Sequence, residues 1–320
     1  MPLPQDERIV ALANALLQQF DQMFGLHPGY RAAHAKGVML AGTFTPSPGA
    51  QKLTRAPHIL RASTPVTARF SNSTGLPQIP DFAPDANPRG FAIRFDLADH
   101  VHTDIVSHSI DGFPTHDGNE FLELLRAVAA SGPDAPSPKP IEKFLGTHPA
   151  ALAFVQAPKP FPVSLAQETY FAVTAYAFTN AAGETRFGRY RIVPALGNKF
   201  LADAEVASLA SNYHFDEIVT RVAKEPVRFK LVVQVAAPQD KTDDATVRWP
   251  ESRDLIELGT VELNEAVRDS AAEQKHIIFD PIPRVDGIEA SADPLLELRA
   301  AIYLLSGRRR RAAKLEGVAA

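Results

Sequence analysis

Arg299 precedes Tyr303 by four residues on an apolar helical pattern of Leu295, Leu296, Leu298, Ile302 and Leu305, which sets a cation beside a phenol on one helix face. A phenol titrates near ~10, so a tyrosine ionised at neutral pH needs a cation, a metal or both. Tyrosinate is among the few protein ligands that a haem iron accepts. On spacing alone the pair reads first as an ordinary tyrosine at a core edge with a surface arginine beside it.

The rest of the chain narrows the choice. At 320 residues, 45% hydrophobic and 22% charged, it has a globular composition and can bury a substantial core. A net charge of -4 argues against a general nucleic-acid binder, although Arg308 to Arg311 form a basic run that could meet a phosphate. Cysteine is absent, which excludes disulfides, thiolate-held metals and cysteine nucleophiles. No apolar run approaches the ~20 residues of a membrane span. Residues 1–20 carry Asp6, Glu7 and Arg8 ahead of Ile9, Leu12, Leu16, Leu17 and Phe20, which reads as an amphipathic helix rather than a secretion signal, and implies a cytoplasmic protein.

Strand-like alternation recurs along the chain. It marks Val38–Phe44, Pro65–Ser71, the run to Phe95 after Pro88-Arg89-Gly90, and Val227–Ala236 with Gly259–Leu263. Glu168–Phe178 and Thr185–Val193 flank Asn180-Ala181-Ala182-Gly183-Glu184 as a hairpin. Helical patterns cover Gly118–Ala130, Pro140–Phe154, Leu201–Leu209 and His214–Lys224, with a proline-rich loop at Gly132–Pro140. No repeat and no dinucleotide-binding glycine pattern appears.

Several phrases resemble the catalase superfamily in the order that family uses. Arg31-x-x-His34-Ala35-Lys36-Gly37 resembles its distal segment, Arg69-Phe70-Ser71 and Asn87-Pro88-Arg89-Gly90-Phe91 its next strands, and Phe279-Asp280-Pro281 through Gly287, Arg299, Tyr303 and Arg310 its proximal segment. The match covers roughly Gly29 to Arg310. It implies an α+β fold, an antiparallel β-barrel catalase core with surrounding helices, and haem b between the barrel and a proximal helix. By that resemblance residues 1–28 form an N-terminal arm, 29–311 the haem domain and 312–320 a tail. The chain is most similar to the catalase-related peroxidases, a minimal form of the core.

The resemblance also assigns roles. Tyr303 is the axial ligand of the haem iron and Arg299 its partner. His34 is general base and then general acid towards peroxide, oriented by the hydroxyl of Ser71. Arg31, Arg69 and Arg310 meet the haem propionates, to which guanidinium forks are suited. The family places an asparagine above the iron after an Asp-Leu-Val phrase. Here Asp104-Ile105-Val106 leads to Ser107 and then His108, so His108 stands at the aligned position as a candidate distal hydrogen-bonding group. The same stretch, with His100, His102, His108, His116 and Asp117, could alternatively hold zinc or non-haem iron, but lacks a fixed ligand frame.

The expected function is reduction of organic hydroperoxides and hydrogen peroxide by small organic electron donors, with weak catalase activity. Small residues at Ala33 and Ser73, where the family often has channel-lining valines, favour wider access. A disproportionating catalase, a hydroperoxide isomerase of the allene oxide synthase type and a haem carrier or sensor are the alternatives. The partners implied are a peroxide and an organic donor, with no nucleic acid, no membrane span and a homodimer or a monomer as the assembly expected.

Overall fold

The computed structural model describes residues 2–206 and 208–313. Its centre is one antiparallel sheet closed on itself. Strands β1 (Gly37–Pro46), β2 (Thr64–Ser71), β3 (Gly90–Ala98), β4 (Val101–His108) and β5 (Tyr170–Phe171) pair in sequence order. β7 (Thr185–Pro194) follows β5, and β8 (Val227–Val235) and β9 (Leu255–Ala266) return the sheet to β1. Pairing of β7 with β8 closes a ring of eight strands, and β6 (Tyr176–Thr179) with β10 (Ile288–Ala290) extends outward from β7.

Eight strands enclose a space that side chains alone can fill. Phe44, Phe70, Phe91, Phe95, Phe229 and Tyr170 fill it and are fully buried. Phe70 stacks on Phe91 with ring centroids 4.2 Å apart, and Phe91 lies 5.0 Å from both Tyr170 and Phe229. Each such burial stabilises by about 2 kcal/mol relative to exposure. Because neighbours along a strand point to opposite faces, this aromatic core fixes Arg69, Ser71, Gly90 and Ala92 on the outer wall.

Helices cover that outer wall. These are α1 (Glu7–Phe24), α2 (Pro57–Leu60), α3 (Gly118–Ala129), α4 (Pro140–Thr147), α5 (Pro149–Gln156), α6 (Asp203–Val206), α7 (Tyr213–Val222), α8 (Ser270–His276) and α9 (Leu295–Ala312). α1 starts where Asp6 accepts from the Arg8 amide at 2.9 Å, and it buries Ala13 and Leu16 against Leu122 of α3 and Leu298 and Ala301 of α9. Asp21 of α1 pairs with Arg309 of α9 at 2.5 and 3.0 Å. Among the described residues no helix is long and apolar enough to cross a membrane.

Several expected elements differ in detail. The span from Pro140 to Phe154 is two helices, because the residue before Pro149 is driven out of helical geometry. Glu168–Phe178 is not one strand: β5 pairs with β4 and β7, the chain leaves the sheet at Ala172–Ala175, and β6 then pairs with β7 and β10. The helix expected over Leu201–Leu209 is only Asp203–Val206, with Ala207 outside the described residues. α9 runs through Ala312, and 314–320 of the expected tail lie outside the described residues.

Candidate active site

His34 stands just before β1 in the left-handed region, at φ +58. A β-carbon makes that region costly, so the surroundings must hold it there. The Ala35 amide donates to Thr74 O at 3.1 Å, and Arg69 Nη2 donates to the carbonyls of His34 and Ala35 at 2.9 and 3.2 Å. The His34 ring is fixed as well, with Nδ1 and Ser71 Oγ 3.1 Å apart.

Strand register explains why this contact forms. Gly37, Ser71, Gly90 and His108 lie in one row across β1, β2, β3 and β4, all on the outer wall. Gly90 leaves the gap that the imidazole enters. A β-carbon there would overlap Ser71 Oγ and sit 2.9 Å from His34 Nδ1. His108 ends the row. Its Nδ1 accepts from the Ile110 amide at 3.3 Å, which leaves Nε2 as the protonated nitrogen of a neutral ring.

Both rings are neutral at pH 7. Burial first, then Arg69 and Arg31, pushes His34 down to about 4. Burial, Arg299 and His34 push His108 to about 3. The Arg299 charge contributes to lowering both histidines. His34, His108, Arg31, Arg299 and Tyr303 are all half-buried.

On the helical side, Arg299 Nη2 donates to Tyr303 Oη at 3.3 Å, and its guanidinium carbon lies 5.7 Å from the centre of the tyrosine ring. Burial opposes the Arg299 charge, but Tyr303 and Tyr176 outweigh it and raise its pKa. Tyr176 donates to Pro281 O at 2.9 Å, tying the segment that leads into α9 to the barrel. Asp104 of β4 does the same. It accepts from the Asp280 amide at 2.7 Å and takes Arg94 in a fork of two 2.9 Å bonds.

At one end of the site Arg31, Arg69 and Arg310 converge. Among the described residues none has a carboxylate partner: Arg31 donates to Gln274 O and Ile277 O, Arg310 to Lys275 O and Ile277 O. Burial holds all three pKa values down, Arg31 well below its ordinary value, Arg69 at about 9 and Arg310 at about 10, with their mutual repulsion adding to the effect at Arg31 and Arg69. Guanidinium groups remain cations at neutral pH, so this end is a buried, uncompensated positive cluster.

The sequence-derived residues are thus brought together: Ser71 with His34, Arg299 with Tyr303, the three arginines with one another, and His108 within charge range of His34 and Arg299. The other histidines are not gathered with them. His102 faces Asp104, His116 faces Asp244 and His100 faces Asp99, and among the described residues no three His, Asp or Glu form a metal-holding group. Sequence reasoning missed Gln274, Asp104 and Tyr176. For Gln274 a signal existed, since Asp269 followed by Ser270-Ala271-Ala272-Glu273-Gln274 has the form of a capped helix.

The donor set fits an iron porphyrin. A phenol backed by a guanidinium is a ligand for ferric iron, a neutral imidazole can exchange protons, and free guanidinium groups suit two carboxylates.

Comparison with known proteins agrees. The family model described as Catalase matches residues 17–319. A catalase-related peroxidase of Mycolicibacterium paratuberculosis is 34% identical over 289 residues, covering 88% of this chain and 89% of its own. One from Synechococcus elongatus is 31% identical over 299 residues, covering 92% and 87%. A fungal catalase structure superposes with a TM-score of 0.78 at 23% identity over 92% of this chain, and a bacterial one with 0.76 at 22% over 97%. This chain spans 62% of the length of either, and at these identities they speak for the fold. Fold and sequence therefore agree: the chain belongs to the catalase family.

Proposed function

We propose that this protein is a haem b peroxidase, reducing organic hydroperoxides and hydrogen peroxide with small organic electron donors and releasing oxygen only weakly. That it is an oxidoreductase acting on peroxide follows from its family. Tyr303 would ligate the iron, with Arg299 holding the phenolate, and Arg31, Arg69 and Arg310 would take the propionates. When bound, haem supplies the iron at which the O–O bond is cleaved and through which two electrons pass from donor to peroxide.

The observations that carry the reading are a neutral His34 fixed by Ser71 and the Arg299–Tyr303 pair. A neutral imidazole removes the hydroperoxide proton as general base. It then returns that proton to the departing oxygen, which leaves as alcohol or water. The balance is one hydroperoxide and two donor molecules, each giving one hydrogen atom, to one alcohol, one water and two donor radicals. A neutral His108, protonated on Nε2, donates a hydrogen bond in the same space. Ala33 and Ser73, small and half-buried beside His34 and Asn72, leave room for a carbon substituent on the peroxide.

The test is absorbance of the haem-supplied protein, followed by cumene hydroperoxide or hydrogen peroxide with and without a phenolic donor. Donor oxidation outpacing oxygen release, with the high-spin ferric band lost in Tyr303→Phe, is the expected result. Vigorous oxygen release would make it a disproportionating catalase. Consumption of a lipid hydroperoxide without donor oxidation would make it an isomerase, and failure to take up haem would overturn the reading.

A further inference from the structure

We infer that Gln274, on α8, is the positioning residue of the carboxylate-binding end of the site, and that its being an amide rather than a carboxylate is what keeps that end open to a ligand. This rests on the haem reading above. The segment 274–277 touches all three arginines. The backbone carbonyls of Gln274 and Ile277 accept from Arg31 at 3.1 and 3.2 Å, and those of Lys275 and Ile277 from Arg310 at 3.0 and 2.6 Å. Arg69 reaches the same segment through a side chain, donating from Nε to Gln274 Oε1 at 2.8 Å.

The amide is oriented by its other contacts. Gln274 Nε2 donates to Gly37 O and Ser270 Oγ, each at 3.0 Å, so Oε1 must face the guanidinium. Ser270 in turn accepts from the Met39 amide at 3.1 Å, which joins α8 to β1. Gly37 adds room, since a β-carbon there would overlap Arg69. Arg69 therefore has its Nε and Nη2 protons engaged, while Nη1 has no partner among the described residues. A neutral acceptor holds the guanidinium in place without neutralising it.

A carboxylate at 274 would hold Arg69 equally well. It would also pair with that arginine permanently and repel any incoming carboxylate. Charge, rather than shape, then decides whether the arginine cluster can receive a ligand.

The experiment titrates the haem-free protein with hemin, which carries two free carboxylates, and with hemin dimethyl ester, which carries none. Binding is followed by absorbance, with thermal melting of each apoprotein alongside. Gln274→Glu is expected to weaken hemin binding at least tenfold and ester binding less than twofold. Gln274→Ala, which removes the acceptor but adds no charge, is expected to fall between wild type and Gln274→Glu for hemin, and it carries the test if the glutamate variant does not fold. Equal loss for both probes would reduce Gln274 to a general structural role and overturn the inference, as would unchanged hemin binding in both variants. Wild-type protein that binds neither probe would instead overturn the haem reading, and wild type that binds both equally would overturn the role of the arginine cluster.

Discussion

Arg69 donates from Nη2 to the His34 carbonyl at 2.9 Å, so a guanidinium of the positive cluster also holds His34 in its left-handed conformation. On the proposed reading, ligand anchoring and acid-base geometry share one side chain. Arg69→Lys keeps a charge but replaces a planar fork with a point donor, and cannot reach Gln274, His34 and Ala35 together. We expect kcat/KM for peroxide to fall about tenfold in haem-saturated protein, the effect of losing one charge-assisted hydrogen bond of about 1.5 kcal/mol. Steady-state kinetics at full haem occupancy would check it.

Ser71→Ala removes the partner of His34 Nδ1 and should lower kcat/KM about tenfold or more, with the fold intact. Gly90→Ala should do at least as much damage although it touches no polar group, because the added methyl overlaps Ser71 Oγ and crowds the ring. An active Gly90→Ala protein would contradict the register argument.

Peroxide reduction needs His34 neutral, and its pKa is pushed down to about 4. The bimolecular rate constant should therefore be flat from pH 7 to about 5 and fall about tenfold per pH unit well below 4. A break near 6.5 in a stopped-flow profile would show that the ring is not held as described.

His58 lies inside the barrel against Phe44 and Phe95, 1% exposed, and both its ring nitrogens lack partners among the described residues. Burial, then Arg61, pushes its pKa from 6.5 to about 4, so on acidification the unfolded chain takes up a proton before the folded one does. The stability of the neutral ring is complete above about 6.5 and is lost as pH falls through 4, on the order of 3 kcal/mol. His58→Leu should remove that part of the acid loss and raise stability at every pH, as measured by urea unfolding at pH 7 and 4.5. A variant less stable at both would show that the ring has a partner.

Legibility in the sequence followed locality. His34, Ser71, Arg299 and Tyr303 each sit in a phrase with its own residue pattern, and β1 to β4 each alternate within a few residues, so both could be read from the chain. Closure of the barrel was legible only through the family resemblance, since β7 meets β8 across a long interval and β5 is only two residues long. Gln274 escaped for a similar reason. Its partners, Arg69 and Gly37, are more than 200 residues away, and nothing about a glutamine on a short polar helix announces an arginine clamp.

The packing of α1 against α9 fixes an order of events during synthesis. Leu16 and Ala13 are made nearly 300 residues before Leu298 and Ala301, which cover them. At roughly 5–20 residues per second, that apolar stripe stays uncovered for about 15 to 60 seconds. An amphipathic helix exposed for so long is a natural binding site for a chaperone, and the nascent chain is most vulnerable to aggregation until its proximal helix arrives.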